Sequence, residues 1–394
     1  MKIRSTPFEI GAAIAVTITS AALVIIGTRG PVEPPEPPEP VVETVVVEKT
    51  VEVPAERPRI DVVFVLDTTG SMTSLIEGAK RKIWSVANRL ASGTPQPEIR
   101  IGLVAYRDVG DAYITQAHPL NGDIDAVYQQ LSSLRAEGGG DTREHVNKAL
   151  NDAIHGMQWG EGENVLKLVF LVGDAAPHDD YSDVPTSAEL AAHARDKGIL
   201  LNTIRCGYDR ETEESWKRIA SLAGGQYTSI AQSGGMVDVA TPFDGKLRDL
   251  NAELADTVMN YGSAADKSAG YRKLATRKAM AAPSAAAAAS YSAKSGRLNK
   301  EDLVGALDAG AVSLESLSEE EMPDELRGKS TAERKAAVKK QRSARARIKG
   351  EILELSKQRD AFISEKNTAD GAAGFDGEVV DMLREQASSI GVAY

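Results

Sequence analysis

Residues 60–72 read IDVVFVLDTTGSM. The first part, at 60–66, is mostly apolar and β-branched, which is typical of a strand buried on both faces of a sheet. The strand ends in a polar sequence, DTTGSM at 67–72, that carries a carboxylate and several hydroxyls. Such a cluster at the tip of a buried strand indicates a site for a cation or a phosphate. Which of the two it binds decides the function.

The chain around this stretch alternates between strand-like and helix-like patterns from residue 58 to residue 262. Short apolar runs are separated by amphipathic stretches such as SLIEGAKRKIWSVANRL at 74–90 and HVNKALNDAIHGM at 145–157. This succession predicts an α/β fold with a doubly wound, mainly parallel central sheet flanked by helices. The apolar runs that follow the first strand are IRIGLVAY at 99–106, VLKLVFLVG at 165–173 and ILLNTIRCG at 199–207.

Three polar loops carry candidate ligands: DTTGSM at 67–72, GGGDTREH at 138–145 and GDAAPHDD at 173–180. In open parallel sheets, ligands bind outside the carboxyl ends of the strands. Asp174 follows the predicted strand at 165–173, just as Asp67 follows the predicted strand at 60–66. If the two strands are adjacent, these two acids face one another.

The first loop offers a carboxylate from Asp67 and hydroxyls from Thr69 and Ser71, at alternating positions. Hard divalent cations such as Mg²⁺ prefer oxygen ligands and retain several bound waters. The three side chains therefore predict a site for Mg²⁺, with Mn²⁺ or Ca²⁺ as the other candidates. Asp and Ser are also favoured N-caps, so the alternative role of Asp67 and Ser71 is to cap the following helix. That alternative explains only this one loop.

This pattern of loops resembles the von Willebrand factor type A (vWA) domain, in a bacterial-type, membrane-anchored form with a variant metal-ion-dependent adhesion site (MIDAS). The family's first motif is Asp-x-Ser-x-Ser, which stands here as DTTGS at 67–71. The resemblance implies that Thr69 and Ser71 bind the metal directly and that Asp67 and Asp174 hold its waters. It also implies that an acidic side chain of a partner protein completes the metal's coordination shell.

The second loop departs from the family pattern, because either Asp141 or Thr142 can occupy the family's threonine position. Loops reading GGGD, together with YRD at 106–108, look like a separate branch of the same family. Asp141 is the preferred residue, and Thr142 remains the alternative. The predicted metal residues are Asp67, Thr69, Ser71, Asp141 and Asp174.

Two other classes of function remain open: a metal-dependent phosphohydrolase of the haloacid-dehalogenase type, and a scaffold whose metal is purely structural. The hydrolase motif is Asp-x-Asp-x-Thr, and Thr69 replaces its second aspartate, which serves as general acid. The sequence has no Gly-Lys-Ser/Thr after the first strand to bind phosphates, and no Gly-x-Gly-x-x-Gly to bind a dinucleotide. The prediction is therefore a binding protein without enzymatic activity.

Composition excludes some partners. The formal net charge of −11 argues against nucleic-acid binding, which needs clustered Lys and Arg. The single cysteine, Cys206, excludes both an intrachain disulfide and a multi-cysteine zinc site. The segment from His178 to Asp180 also has ligand-type side chains, although a polar surface loop is the preferred interpretation.

The N-terminal region predicts a membrane anchor. Residues 10–27 are uncharged, and as a helix they would rise about 27 Å, close to the hydrocarbon thickness of a bilayer. Lys2 and Arg4 precede them, so the positive-inside rule places residues 1–9 in the cytoplasm. A single-pass signal-anchor helix at 10–28 then puts the rest of the chain on the extracytoplasmic side. A cleaved signal peptide is the alternative.

The remaining segments are interpreted from their composition. Residues 29–57 contain PVEPPEPPEP and predict an extended, self-repelling stalk. Residues 263–297 include APSAAAAAS and predict a flexible or weakly helical connector. Residues 298–394 are rich in helix formers and predict a helical, partly flexible tail, in which Ser330 or Thr331 caps a helix.

Overall fold

The structure is a computed structural model of the chain and describes residues 57–140, 143–234, 239–370 and 375–394. The predicted transmembrane helix at 10–28 lies outside the described residues, as do Asp141, Thr142 and all but the last residue of the predicted stalk. Within the described residues, no helix is both long enough and apolar enough to cross a membrane.

A six-stranded sheet forms the centre of the molecule, with strand order β3-β2-β1-β5-β7-β8. All neighbouring strands pair in parallel except β3, which is antiparallel to β2. Two further strands of two residues each, β4 and β6, pair with one another. The strands are β1 (Arg59–Asp67), β2 (Glu98–Tyr106), β3 (Thr115–Asn121), β4 (Arg143–Glu144), β5 (Val165–Gly173), β6 (Ala176–Pro177), β7 (Ile199–Cys206) and β8 (Tyr227–Ile230).

Helices cover both faces of this sheet, as the sequence predicts for a doubly wound fold. Side chains alternate along a strand, so Phe64 of β1 faces one layer of helices while Val63 and Val65 face the other. The helices on the Phe64 side are α1 (Thr73–Leu90) and α2 (Ile124–Ser133). Those on the other side are α3 (Val146–Gly156), α4 (Ser187–Asp196) and α5 (Arg210–Leu222).

Six more helices follow β8, and several of them pack against the domain. They are α6 (Asp244–Ala255), α7 (Ala264–Lys278), α8 (Ala282–Ser295), α9 (Leu303–Asp308), α10 (Thr331–Asp370) and α11 (Phe375–Ala387). The predicted cap of α10 is confirmed, because Ser330 and Glu333 exchange the hydrogen bonds of a capping box.

The prediction of a flexible or weakly helical connector at 263–297 is wrong, because most of this segment is helical and α8 is buried. Every residue from Ser284 to Ala293 is buried. One side of α8 joins the core beneath α1 through Ala285, Ala288 and Tyr291, and the other side packs with α6 and α10. Alanine side chains make this possible because they let the neighbouring helices approach closely. A stretch that looks like low-complexity linker is therefore an interior helix.

Helix α7 is joined to α2 by buried ion pairs. The Arg277 guanidinium donates to both carboxylate oxygens of Asp125, at 3.1 and 3.0 Å, and lies over the ring of Trp84. Lys273 Nζ donates to Asp123 at 2.7 Å and to both carboxylate oxygens of Glu301 at 2.8 Å. A buried charge that loses its partner is costly, so these pairs specify how α7 sits against α2.

The C-terminal helix α11 completes the Phe64 face of the sheet. Met382 and Leu383 belong to the same buried core as Phe64. The amides of Gln386 and Asn202 exchange two hydrogen bonds, at 2.8 and 3.0 Å, which join α11 to β7. The core of the sheet therefore includes residues far beyond 262, and this end of the predicted tail is an integral part of the core.

We expect the Leu383→Ala substitution to lower the free energy of unfolding by about 2–5 kcal/mol, because it leaves a cavity beside the sheet. Leu383 is 2% exposed. The measurement is chemical denaturation of the full chain. The control is Arg384→Ala on the exposed side of α11, which we expect to change stability by no more than about 0.5 kcal/mol. Equal effects of the two substitutions would contradict the position of α11.

Candidate metal centre

The carboxyl ends of β1 and β5 carry the two acids that the sequence singles out. Asp67 is the last residue of β1, and Asp174 directly follows β5. The two strands are neighbours and run in parallel, so both acids lie at the same edge of the sheet. The adjacency on which the sequence prediction depended is confirmed.

A tight hydrogen-bonded turn holds the first loop. Asp67 Oδ1 accepts from the backbone N–H of Thr69 at 2.8 Å and from its hydroxyl at 2.6 Å. Thr69 Oγ1 lies 3.3 Å from Ser71 Oγ. An aspartate that binds the backbone two residues ahead is a local turn former, so the sequence itself builds this arrangement. The three predicted residues of this loop therefore lie together.

The second oxygen of Asp67 has no hydrogen-bond partner among the described residues. Asp67 Oδ2 is buried. Burial, and then the negative charge of Asp174, raises the pKa of Asp67 to about 7, although hydrogen bonds from Thr69 act in the opposite direction. A buried carboxylate oxygen without a donor, beside a second acid and two hydroxyls, is the oxygen-rich environment that a hard divalent cation neutralises. The residues present therefore fit a divalent metal.

Gly173, the last residue of β5, allows this close packing. A Cβ atom at this position would lie 2.9 Å from the Asp67 Cβ and 2.5 Å from the Tyr106 hydroxyl oxygen. Contacts that short do not occur for real Cβ atoms. Tyr106, like Asp67, is fully buried. Any larger residue at 173 would therefore push the two acids or the tyrosine apart.

The second loop lies against the first. Gly70 N donates to Gly138 O at 3.2 Å, and Gly139 N donates to the carboxylate of Asp111 at 3.3 Å. Asp141 and Thr142 follow directly, but both lie outside the described residues. The choice between them as the second-loop metal residue stays a prediction.

Asp179 and Asp180 of the third loop hold their own loop in place. Asp179 accepts from the backbone N–H and hydroxyl of Ser187 and from the amide of Asn147. Asp180 Oδ1 accepts a hydrogen bond from His178 Nδ1 at 2.9 Å. In the part of the chain that the structure describes, no group of three His, Cys, Asp or Glu side chains is arranged to hold a metal.

Gln232 is a residue at this edge that the sequence analysis missed. Its Nε2 donates to Asp174 Oδ2 at 2.5 Å and lies 3.5 Å from the carbonyl oxygen of Ser71. Gln232 follows the short strand β8 in a loop without any recognisable motif. No signal in a single sequence could have found it, because the contact joins residues 58 positions apart.

Comparison with known proteins identifies the domain. Residues 61–239 match the model of the von Willebrand factor type A domain, so the chain contains a vWA domain. Domains of this class are generally protein–protein interaction modules. The mainly parallel sheet flanked by helices is the fold expected of this class.

Individual relatives match only parts of their length. The chain is 32% identical over 118 residues to the human von Willebrand factor A domain-containing protein 7, covering 30% of this chain and 12% of that protein. It is 29% identical over 122 residues to a putative ariadne-like RING finger protein of Acanthamoeba polyphaga mimivirus, covering 30% of this chain and 11% of that one. The chain therefore spans only about a tenth of the length of these relatives.

Solved structures resemble the chain at low identity. The SpRpn10 VWA domain has 14% identity and a TM-score of 0.35, with 45% of this chain and 91% of that chain covered. Proximal thread matrix protein 1 from the mussel byssus, in a structure with a zinc-occupied MIDAS motif, has 16% identity and a TM-score of 0.35, with 44% and 42% covered.

The raised pKa of Asp67 makes the stability of the metal-free protein depend on pH. The ordinary pKa is 3.8 and the folded-state pKa is about 7, so the folded state holds this proton more tightly than the unfolded chain does. This contribution to stability is complete below about pH 4 and is lost as the pH rises through 7. We expect Asp67→Asn, which is always neutral, to lack this loss.

The measurement is thermal unfolding of the full chain in EDTA between pH 4 and pH 8. At pH 8 we expect Asp67→Asn to be more stable than the wild type, by up to a few kcal/mol, and Mg²⁺ to stabilise only the wild type. A variant that is less stable than the wild type at every pH would show that the Asp67 charge is not destabilising.

Proposed function

We propose that this chain is a membrane-tethered binding protein whose vWA domain presents a divalent cation to an acidic side chain of a protein partner. The observation that carries the proposal is the buried, unpaired Oδ2 of Asp67 beside Asp174 and two hydroxyls. Mg²⁺ is the preferred cation, with Mn²⁺ and Ca²⁺ as alternatives. When bound, the cation supplies a positive site that attracts a carboxylate.

Each residue has its own part in holding the cation. Thr69 and Ser71 would bind it through their hydroxyl oxygens, and Asp67 and Asp174 would hold its waters. Asp141 would contribute from the second loop. Neutral hydroxyl ligands leave more of the positive charge available than carboxylate ligands do, and this favours capture of a partner's carboxylate. A direct Asp141 ligand would weaken that capture, so the identity of the second-loop residue sets the strength of partner binding.

Exposed apolar side chains at the same edge of the sheet support a protein partner. Tyr208 follows β7 and is 88% exposed, and Val109 follows β2 and is 56% exposed. Both therefore flank the carboxyl ends of the strands where Asp67 and Asp174 lie. Exposed aromatic residues contribute strongly to protein interfaces. A partner that binds the cation can bury these side chains as well.

The cellular location is part of the proposal. The apolar stretch at 10–28 would anchor the chain in a membrane with the vWA domain on the extracytoplasmic side, and residues 29–57 would hold the domain away from the bilayer. The net charge of −11 supports a protein partner over a nucleic acid. No enzymatic step is proposed, because Thr69 stands where a haloacid-dehalogenase hydrolase needs its acid.

The first test measures the cation itself. We expect full-length wild type to bind Mg²⁺ in isothermal titration calorimetry, and Ser71→Ala to bind it at least about tenfold more weakly, because the variant loses a direct oxygen ligand. The matched control is Ser74→Ala, an exposed serine in the first turn of α1. Equal affinities for Ser71→Ala and Ser74→Ala would contradict the proposed site.

The second test separates a partner-binding metal from a structural one. The full chain is isolated from the membrane fraction with its bound proteins in Mg²⁺ and in EDTA. We expect a partner that is retained in Mg²⁺, released by EDTA and absent with Ser71→Ala. A partner retained equally in EDTA would favour a scaffold with a structural metal. Recovery of the chain only in the soluble fraction would contradict the anchor.

A further inference from the structure

The side chain of Gln232 covers Asp174 at the edge of the candidate metal centre. Gln232 Nε2 donates to Asp174 Oδ2 at 2.5 Å. The same nitrogen lies 3.5 Å from Ser71 O and 3.9 Å from Met72 Sδ. One amide group therefore contacts both the loop that carries the hydroxyls and the acid of the neighbouring strand.

The oxygen of the Gln232 amide occupies space that is free because residue 207 is a glycine. A Cβ atom built on Gly207 would lie 2.3 Å from Gln232 Oε1. Gly207 directly follows β7 and has φ +76°, a conformation that glycine adopts without strain. Its N–H donates to the carbonyl of Ile230 at 3.0 Å, which holds the two loops together. The backbone thus leaves room for the Gln232 amide beside Asp174.

The Gln232 amide and water bound to a cation both use Asp174 as a hydrogen-bond acceptor. By the proposed function, Asp174 accepts hydrogen bonds from water bound to the cation. In the structure, Asp174 Oδ2 accepts a hydrogen bond from Gln232 Nε2. Bonds of this kind to an ionised acceptor are about twice as strong as neutral ones. The Gln232 amide therefore occupies one of the acceptor positions of Asp174 that metal-bound water would otherwise use.

We propose that Gln232 is an internal competitor of the cation: its amide occupies an acceptor position of Asp174 that water bound to the cation would otherwise use. The inference rests on the proposed function, because it concerns the same site. The amide donor partly offsets the negative charge that Asp67 and Asp174 concentrate at this edge. Gln232 thus stabilises the metal-free state, and the same stabilisation lowers the affinity for the cation.

Gln232 is placed to make this exchange reversible. It is exposed to solvent, whereas Asp67 is fully buried. An exposed side chain can change rotamer without disturbing the core, so its release costs little beyond the hydrogen bond itself. The Gln232 amide can therefore leave Asp174 when the cation concentration rises.

The test uses the full chain with Gln232→Ala and Gln232→Leu, both of which remove the amide. Leucine retains most of the bulk, so it separates the hydrogen bond from the space that the side chain fills. Isothermal titration calorimetry measures the Mg²⁺ dissociation constant, and thermal unfolding in EDTA measures the metal-free state. We expect both variants to bind Mg²⁺ about tenfold more tightly than the wild type and to unfold at a lower temperature in EDTA.

The control is Ser233→Ala, the next residue in the same exposed loop, which we expect to match the wild type in both measurements. Unchanged or weaker Mg²⁺ binding by both Gln232 variants would overturn the competitor role; weaker binding would instead make Gln232 a residue that orients Asp174 for the cation. A wild-type chain that binds no divalent cation would overturn the proposed function itself. The two failures are therefore distinguishable.

Discussion

The parallel pairing of β1 with β5 is the constraint on which the site depends. It brings Asp67 and Asp174 to one edge of the sheet, where burial and mutual repulsion both oppose ionisation of Asp67. In the described residues, two sets of hydrogen bonds partly offset this electrostatic cost. Thr69 donates two hydrogen bonds to Asp67, and Gln232 donates one to Asp174. A divalent cation would relieve it more completely. The arrangement is unfavourable without such a ligand, which is why it points to function.

The helices beyond β8 extend this domain and complete its core. Helix α8 lies between α1, α6 and α10, and α11 covers the sheet beside β7. Buried ion pairs also join these helices, since Arg345 on α10 binds Asp302 and Arg359 binds Asp244. Because a buried charge without its partner is expensive, these pairs favour one relative placement of the helices. The loops at the carboxyl ends of the strands are thus supported by a packed core, which is what a positioned metal site needs.

Local sequence patterns accounted for a large part of the fold and site. The apolar strands and amphipathic helices predicted the doubly wound sheet, because burial on both faces leaves a continuous apolar pattern that is readable in one chain. The loop from Asp67 to Ser71 was also readable, since its hydrogen bonds join residues only two positions apart. Asp174 was found by a general rule, that parallel strands end at the same edge of the sheet.

By itself, the sequence determined the strands β1, β2, β5 and β7, the DTTGS turn and the acidic tips of β1 and β5. Only the tertiary structure decided that the alanine-rich segment is an interior helix, that α11 closes one face of the sheet and that Gln232 covers Asp174. The physical reason is the range of the interactions. Turns and periodic patterns are made by neighbours in the chain, whereas the burial of α8 and the Gln232 contact come from segments far apart in sequence, and no local pattern records them.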